Sequence, residues 1–157
     1  MKNWIKLVIA IVIPQLVAAG GAYFTVTGRD SWYQQLEKPE WNPPGWVFGP
    51  VWTVLYVLMG IAFYLVWTSV EAEGKKRTAM VFWGLQLFFN FLWSFLFFGQ
   101  HLIGWALADI MLLWLLILLT IFAFARINKL AAWLLVPYIS WVSFAGILNY
   151  TIWQLNS

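Results

Sequence analysis

An all-α integral membrane protein, a five-transmembrane-helix bundle with a long capping loop between helices one and two, is the fold class this sequence predicts. Three observations predict it. The 157 residues are 63% hydrophobic and only 10% charged, with a mean hydropathy of +0.79, far from the balance of a water-soluble domain. Five apolar runs, at about 7–26, 46–68, 79–98, 102–125 and 131–153, each approach the ~20 residues that a helix rising 1.5 Å per residue needs to cross ~30 Å of hydrocarbon. The basic residues sort by side of the membrane. The runs use most of the chain, so residues 1–157 read as one membrane domain.

The first run follows Lys2 and Lys6 and contains "AAGGA", a combination that could also pass for a secretory signal with a small-residue cleavage site. It continues through Tyr23, Phe24 and Val26, which suits a spanning helix better. The 27–45 connection is long for a bundle, and long ordered loops tend to be lids or binding loops. Trp32, Tyr33, Leu36 and Trp41 are apolar enough to fold back onto the bundle, while Pro39, Pro43 and Pro44 fix φ and restrict the residues before them. The loop reads as a rigid cap. Pro14, Pro50 and Pro137 lie within or near the starts of runs one, two and five, where a missing N–H can kink a helix. No sequence repeat is visible, and five spans do not divide into inverted halves, which weakens an alternating-access reading.

With five spans, one side holds Lys2, Lys6, Lys75, Lys76, Arg77, Arg126 and Lys129, and the other holds Arg29 and Lys38. Seven against two predicts a cytoplasmic N-terminus and an external C-terminus. The net charge of +3 is then topological bias. The basic residues form no stripe with stacking aromatics, so no nucleic-acid partner is expected. The absence of Cys excludes disulfides and cysteine metal sites. The single His101, in "GQHLIG", has no acidic neighbour in sequence and reads as a surface residue, leaving zinc clusters and a Ser-His-Asp triad without parts.

Aromatic residues make up 20% of the chain, and many fit an interfacial belt: Trp4, Trp32, Trp41, Trp46, Trp67, Trp133 and Trp153 fall at span ends. Trp52 and Trp141 lie inside their spans and require partners or a lined cavity. Helical spacing gives each run an inward stripe: Gln15, Ala19 and Ala22; Phe48, Trp52 and Tyr56; Gln86, Asn90 and Trp93; Trp105, Asp109 and Leu112; and Trp141, Ala145, Leu148 and Asn149. Alternating helix direction places most of these in the half of the bilayer beneath the long loop, which would then lid an aromatic cavity. Trp114, half a turn from Trp105, should face lipid or a partner subunit. Asp109, an ionisable group inside a span, is a functional-site candidate by default. It is expected to be neutral or hydrogen-bonded to an indole, tyrosine or amide. For Asp109, Asn90 and Asn149, a helix-to-helix hydrogen bond and a ligand contact stay open as alternatives.

The stretches "WYQQLEKPEWNPPGWVFGPVWTVLYVLMG" from Trp32, "FNFLWSFLFFG" from Phe89, "GWALADIMLLW" from Gly104 and "PYISWVSFAGILNY" from Pro137 resemble the TspO/MBR family of tryptophan-rich sensory proteins and translocator proteins. The proline-tryptophan block and the Trp-x-x-x-Ala-x-x-Leu-Asn pattern are the specific features. The resemblance implies a five-helix membrane protein, often dimeric, that binds porphyrins, haem, sterols and benzodiazepine-type synthetic ligands under the first loop. Trp52, Asn90, Trp105, Trp141, Ala145 and Leu148 match pocket residues of the family, and Tyr33 and Phe48 match positions close to it. Tyr56, Trp93, Asp109 and Asn149 join the candidate ligand set from the stripes alone. The function implied is a tetrapyrrole-binding sensor or regulator that needs no cofactor and takes porphyrin or haem as ligand. Light-dependent oxidative breakdown of protoporphyrin, with Trp52 and Trp141 as the reacting side chains, and transport of lipophilic molecules are the alternatives. One departure concerns sterols: Tyr150 is followed by "TIWQLNS", without the basic residue of the family's C-terminal cholesterol pattern.

Overall fold

The computed structural model describes all 157 residues. Helix α1 spans Asn3–Phe24, a short α2 spans Trp32–Gln35 in the loop, and α3 spans Gly45–Trp67. Helix α4, Glu73–Ser94, runs on through a π turn, Phe95–Gly99; α5 is Ile103–Ala125, α6 is Lys129–Leu134 and α7 is Val136–Leu155. Five helical stretches, Asn3–Phe24, Gly45–Trp67, Glu73–Gly99, Ile103–Ala125 and Lys129–Leu155, are long and apolar enough to cross a membrane. The protein is an integral membrane protein. The boundaries differ from the hydropathy runs in several places: α1 starts four residues before 7 and ends two before 26, and two further differences have a local cause. Helix α4 starts six residues before 79, because "EGKKRT" continues the helix beyond its apolar part. The fifth span begins at Lys129, where the Asn128 side chain caps α6 by accepting from the Ala131 N–H at 3.1 Å. It breaks at Leu135, just ahead of Pro137, which starts α7 instead of kinking it from within.

The spans form a closed ring: α1 packs between α3 and α4, α4 against α5, α5 against α6 and α7, and α6 back against α3. Lipid is as apolar as leucine, so this packing depends on close van der Waals fit more than on release of water. The tightest approach shows it. A methyl group on Gly60 would lie 2.6 Å from the Ala10 carbonyl oxygen and 2.7 Å from Ile11 Cα, so α1 and α3 touch backbone to backbone there.

The end carrying the α1 N-terminus and the seven cations, hereafter the basic end, is solid. Met59, Ala62, Phe63 and Val66 of α3 interlock there with Trp83 and Leu87 of α4 and Ile117 and Phe124 of α5. Trp83 donates its indole N–H to the Met59 carbonyl at 3.3 Å, and its ring lies 4.3 Å from that of Phe63. The other end, under the 27–45 loop, is hollow.

Gly60→Ala is expected to destabilise the bundle by about 1–3 kcal/mol, because both crowding atoms are backbone and cannot turn aside. Gly84→Ala, with nothing within 4 Å, should be close to neutral. Thermal unfolding midpoints of the two variants in one detergent check the contrast.

Candidate ligand-binding cavity

Beneath the loop lies a cavity of about 210 Å³. Ala18, Gly21 and Ala22 of α1, with Thr25 just past its end, form one wall, and Phe48, Gly49, Trp52, Thr53 and Tyr56 of α3 form the next. Asn90, Trp93 and Ser94 of α4, with Phe97 and Phe98 of the π turn, face Ala145, Leu148, Asn149 and Ile152 of α7. Tyr33 closes the top. Helix α5 contributes no wall residue. Ala22, Gly49 and Thr53 are exposed, so a side window opens between α1 and α3 above their Gly60 contact.

The roof is held by polar ties that its own sequence supplies. The Lys38 ammonium donates to the carbonyls of Tyr33 at 2.8 Å and Leu36 at 3.0 Å, and lies 4.9 Å from the Tyr33 ring centroid. Tyr33 is buried and donates its hydroxyl to Asn42 Oδ1 at 3.1 Å. Burial pushes its phenol above the ordinary range, outweighing the Asn42 contact. A second tie reaches the far end of the chain. Asn156 accepts from the Glu37 N–H at 3.0 Å and donates to the Glu37 carbonyl at 2.9 Å. Trp32 stacks on His101 with centroids 4.0 Å apart and planes 7° from parallel, and His101 itself adopts a left-handed φ of 58°.

The floor is a hydrogen-bonded chain across three helices. Tyr56 donates to Asn90 Oδ1 at 2.7 Å, Asn90 Nδ2 donates to the Tyr138 oxygen at 2.7 Å, and Tyr138 donates to Gln86 Oε1 at 2.6 Å. To one side, Trp93 donates to Asn149 Oδ1 at 2.9 Å, and Asn149 Nδ2 donates to the Ile103 carbonyl at 3.1 Å. Each amide in the wall thus has a protein partner and still borders the cavity.

A chain with this architecture has close relatives. The TspO/MBR family model matches residues 10–154. The chain belongs to the TspO/MBR family. It is 45% identical over 155 residues to the tryptophan-rich protein TspO of Chlorobaculum tepidum, covering 99% of this chain and 98% of that one. To the translocator protein of Bos taurus it is 40% identical over 156 residues, 98% of this chain and 91% of the other. The tryptophan-rich sensory protein of Cereibacter sphaeroides is 42% identical over 149 residues, 94% of this chain and 92% of its own.

Within this TspO/MBR fold, Tyr33, Phe48, Trp52, Tyr56, Asn90, Trp93, Ala145, Leu148 and Asn149 come together on the cavity surface. Three other sequence candidates do not. Trp105 is 69% exposed on the outside of α5. The buried residues of α5 run from Ala106 through Ile110, Leu113 and Ile117 to Phe124, and at 100° per residue Trp105 lies roughly 80° from the middle of that set and Leu112 roughly 100°. Asp109 is buried on α5, off the cavity surface, and neither carboxyl oxygen has a hydrogen-bond partner; of the two expected outcomes, a neutral carboxyl or a bond to an indole, tyrosine or amide, the second is not met. Trp141 stands one layer back, edge-on to Trp52 at 6.4 Å and to Phe48 at 5.9 Å, with its indole N–H unpartnered.

In α1 the face is shifted from the expected stripe: Ala19 is exposed, while Ala18, Gly21 and Thr25 join Ala22 at the wall. Phe97, four residues after Trp93 and seven after Asn90, falls on the same α-helical stripe, whereas Phe98 lies off it and joins the wall where the π turn widens the helix. Trp114 is partly exposed, and its N–H is taken by Ser143 Oγ at 2.8 Å.

Replacing Asn90 by Leu strands the Tyr56 hydroxyl and should cost about 1–3 kcal/mol, read as a lowered unfolding midpoint. Asn156→Ala should leave that midpoint nearly unchanged while raising hydrogen exchange in residues 36–42, since it removes both bonds to Glu37.

Proposed function

We propose that this protein binds porphyrin- and haem-like ligands in the roofed cavity and works as a tetrapyrrole-binding sensor or regulator, with the N-terminus cytoplasmic. The observation that carries this reading is the wall itself. Rings from the roof, α3, α4 and the π turn converge on one hollow with few polar groups, and a flat π-system with acidic edges suits such a surface. The cavity's 210 Å³ is below the roughly 300–1,000 Å³ common for drug-sized sites. A macrocycle therefore enters by one edge, with the rest of the ring in the α1–α3 window. No His or Cys stands in the wall, and the Tyr33 and Tyr56 hydroxyls donate to asparagines. Stacking, not axial ligation of iron, is the binding mode.

Occupancy has a route to the surface, because Tyr33 touches the cavity and belongs to the tied roof. Benzodiazepine-type ligands and sterols or lipids are further candidates for the same hollow, and a homodimer is the expected assembly. Light-driven breakdown of bound porphyrin is the second reading. Trp52 favours it, as an electron-rich indole in the wall backed by Trp141 and by Tyr56 at 5.7 Å.

Protoporphyrin titration should quench tryptophan fluorescence saturably. Loss of a ring at Phe48→Ala should weaken binding by about 2–10-fold, the worth of one aromatic pair. Absence of saturation would refute the binding reading. Illumination of the complex then separates the two roles: porphyrin recovered intact supports the sensor, and altered porphyrin spared in the Trp52→Phe, Trp141→Phe double variant supports photochemistry. Protein-dependent flux into vesicles would favour transport instead.

A further inference from the structure

At the basic end, on the opposite side of the solid core from the cavity, a groove of about 380 Å³ runs between α4 and α5. Lys75, Thr78 and Phe82 line it from α4, and Leu119, Phe122, Ala123 and Arg126 from α5. Spacings of three and four put each set on one helical face, and the helices are antiparallel. Lys75 and Arg126 therefore share the mouth, while Phe82 and Leu119 share the foot, roughly 10 Å deeper at 1.5 Å per residue.

Charge and polarity along this groove are not those of an ordinary lipid-facing seam. Arg126 makes no ion pair, and Lys75 has one carboxylate neighbour, Glu71 at 3.6 Å, in a pair whose members are 58% and 39% exposed. Such a pair is weak and readily exchanged. The other acidic group at this helix start, Glu73, is engaged with Lys76 at 3.3 Å. Two cations thus face one groove at the point where the apolar run of α5 ends. Below them the walls are hydrocarbon and face the bilayer, with Phe122 59% and Leu119 36% exposed.

We infer that this groove is a binding site for an anionic phospholipid of the leaflet at the basic end, its phosphate between Lys75 and Arg126 and its acyl chain along Phe82, Leu119 and Phe122. The two-part lining argues for a lipid over a free anion, which would leave the apolar foot unused. Basic pockets between spanning helices are suited to such headgroups.

The test uses the full-length protein stripped of lipid in detergent, with phosphatidylglycerol, phosphatidylcholine of the same acyl chains, and inorganic phosphate, read by native mass spectrometry and by thermal stabilisation. Wild-type protein should retain and be stabilised by phosphatidylglycerol in preference to phosphatidylcholine, with phosphate inert. Arg126→Gln and Lys75→Gln should each weaken retention about fivefold, and Leu119→Trp, which fills the foot without changing charge, should weaken it too. Lys129→Gln, an equal charge change at the same end outside the groove, should not. Equal retention of the two lipids by the wild type would overturn the site, and this comparison needs no variant to fold. Loss in Lys129→Gln equal to that in Arg126→Gln would reduce the effect to diffuse surface attraction. Full retention in Leu119→Trp, or phosphate matching the lipid, would reduce it to an anion contact.

Discussion

The chain of hydrogen bonds from Tyr56 through Asn90 and Tyr138 to Gln86 is the constraint on which the rest of the structure depends. A phenol or amide in hydrocarbon must find its partner inside the protein, so these four side chains dictate how α3, α4 and α7 face one another. They also mark a boundary. Towards the basic end Met59, Trp83 and Phe63 fill the interior, and towards the roof the same helices hold a space open. Large rings at Phe48, Trp52, Trp93 and Phe97 keep the helices apart, while Ala18, Gly21, Ala22 and Ala145 leave room between them.

The roof completes this division of labour. Its three prolines limit the conformations open to the loop, and Lys38 bonds it internally. Asn156 then fastens it to the last turn of the chain. Trp32 bridges to the turn after the π segment by stacking on His101. For the binding proposed above, a roof with this many anchors would cost little to order, because most of its entropy is lost on folding.

Much of this architecture is legible in the sequence. The five spans followed from hydropathy, and alternating helix direction gathered Phe48, Trp52, Asn90, Trp93 and Asn149 at one end. Spacing fails where it carries no information about neighbours. Of the α5 stripe Trp105, Asp109 and Leu112, only Asp109 lies on the face that meets other helices, beside Ala106, Ile110 and Leu113, a choice made by the ring order of the bundle. Tyr138, three residues before Trp141 and seven before Ala145, falls on the α7 stripe, but spacing cannot name its partners, 48 and 52 residues away. The π turn was invisible because its signature is a backbone bond pattern, seen here as the Gln100 N–H reaching Phe95 O at 2.8 Å, and not a residue pattern. Asp109 is a different case: the sequence marks it as costly inside a span, and the fold provides no partner for either oxygen.

The window between α1 and α3 changes what an affinity for this protein means. Its sill is Ala22, Gly49 and Thr53, small residues exposed on the outer surface of two membrane-spanning helices. For a lipophilic guest of the kind proposed above, entry by this window would be from the bilayer, and the relevant activity would be its mole fraction among lipids. Adding empty bilayer at constant guest and protein dilutes that activity and lowers occupancy, although every contact inside the hollow is the same.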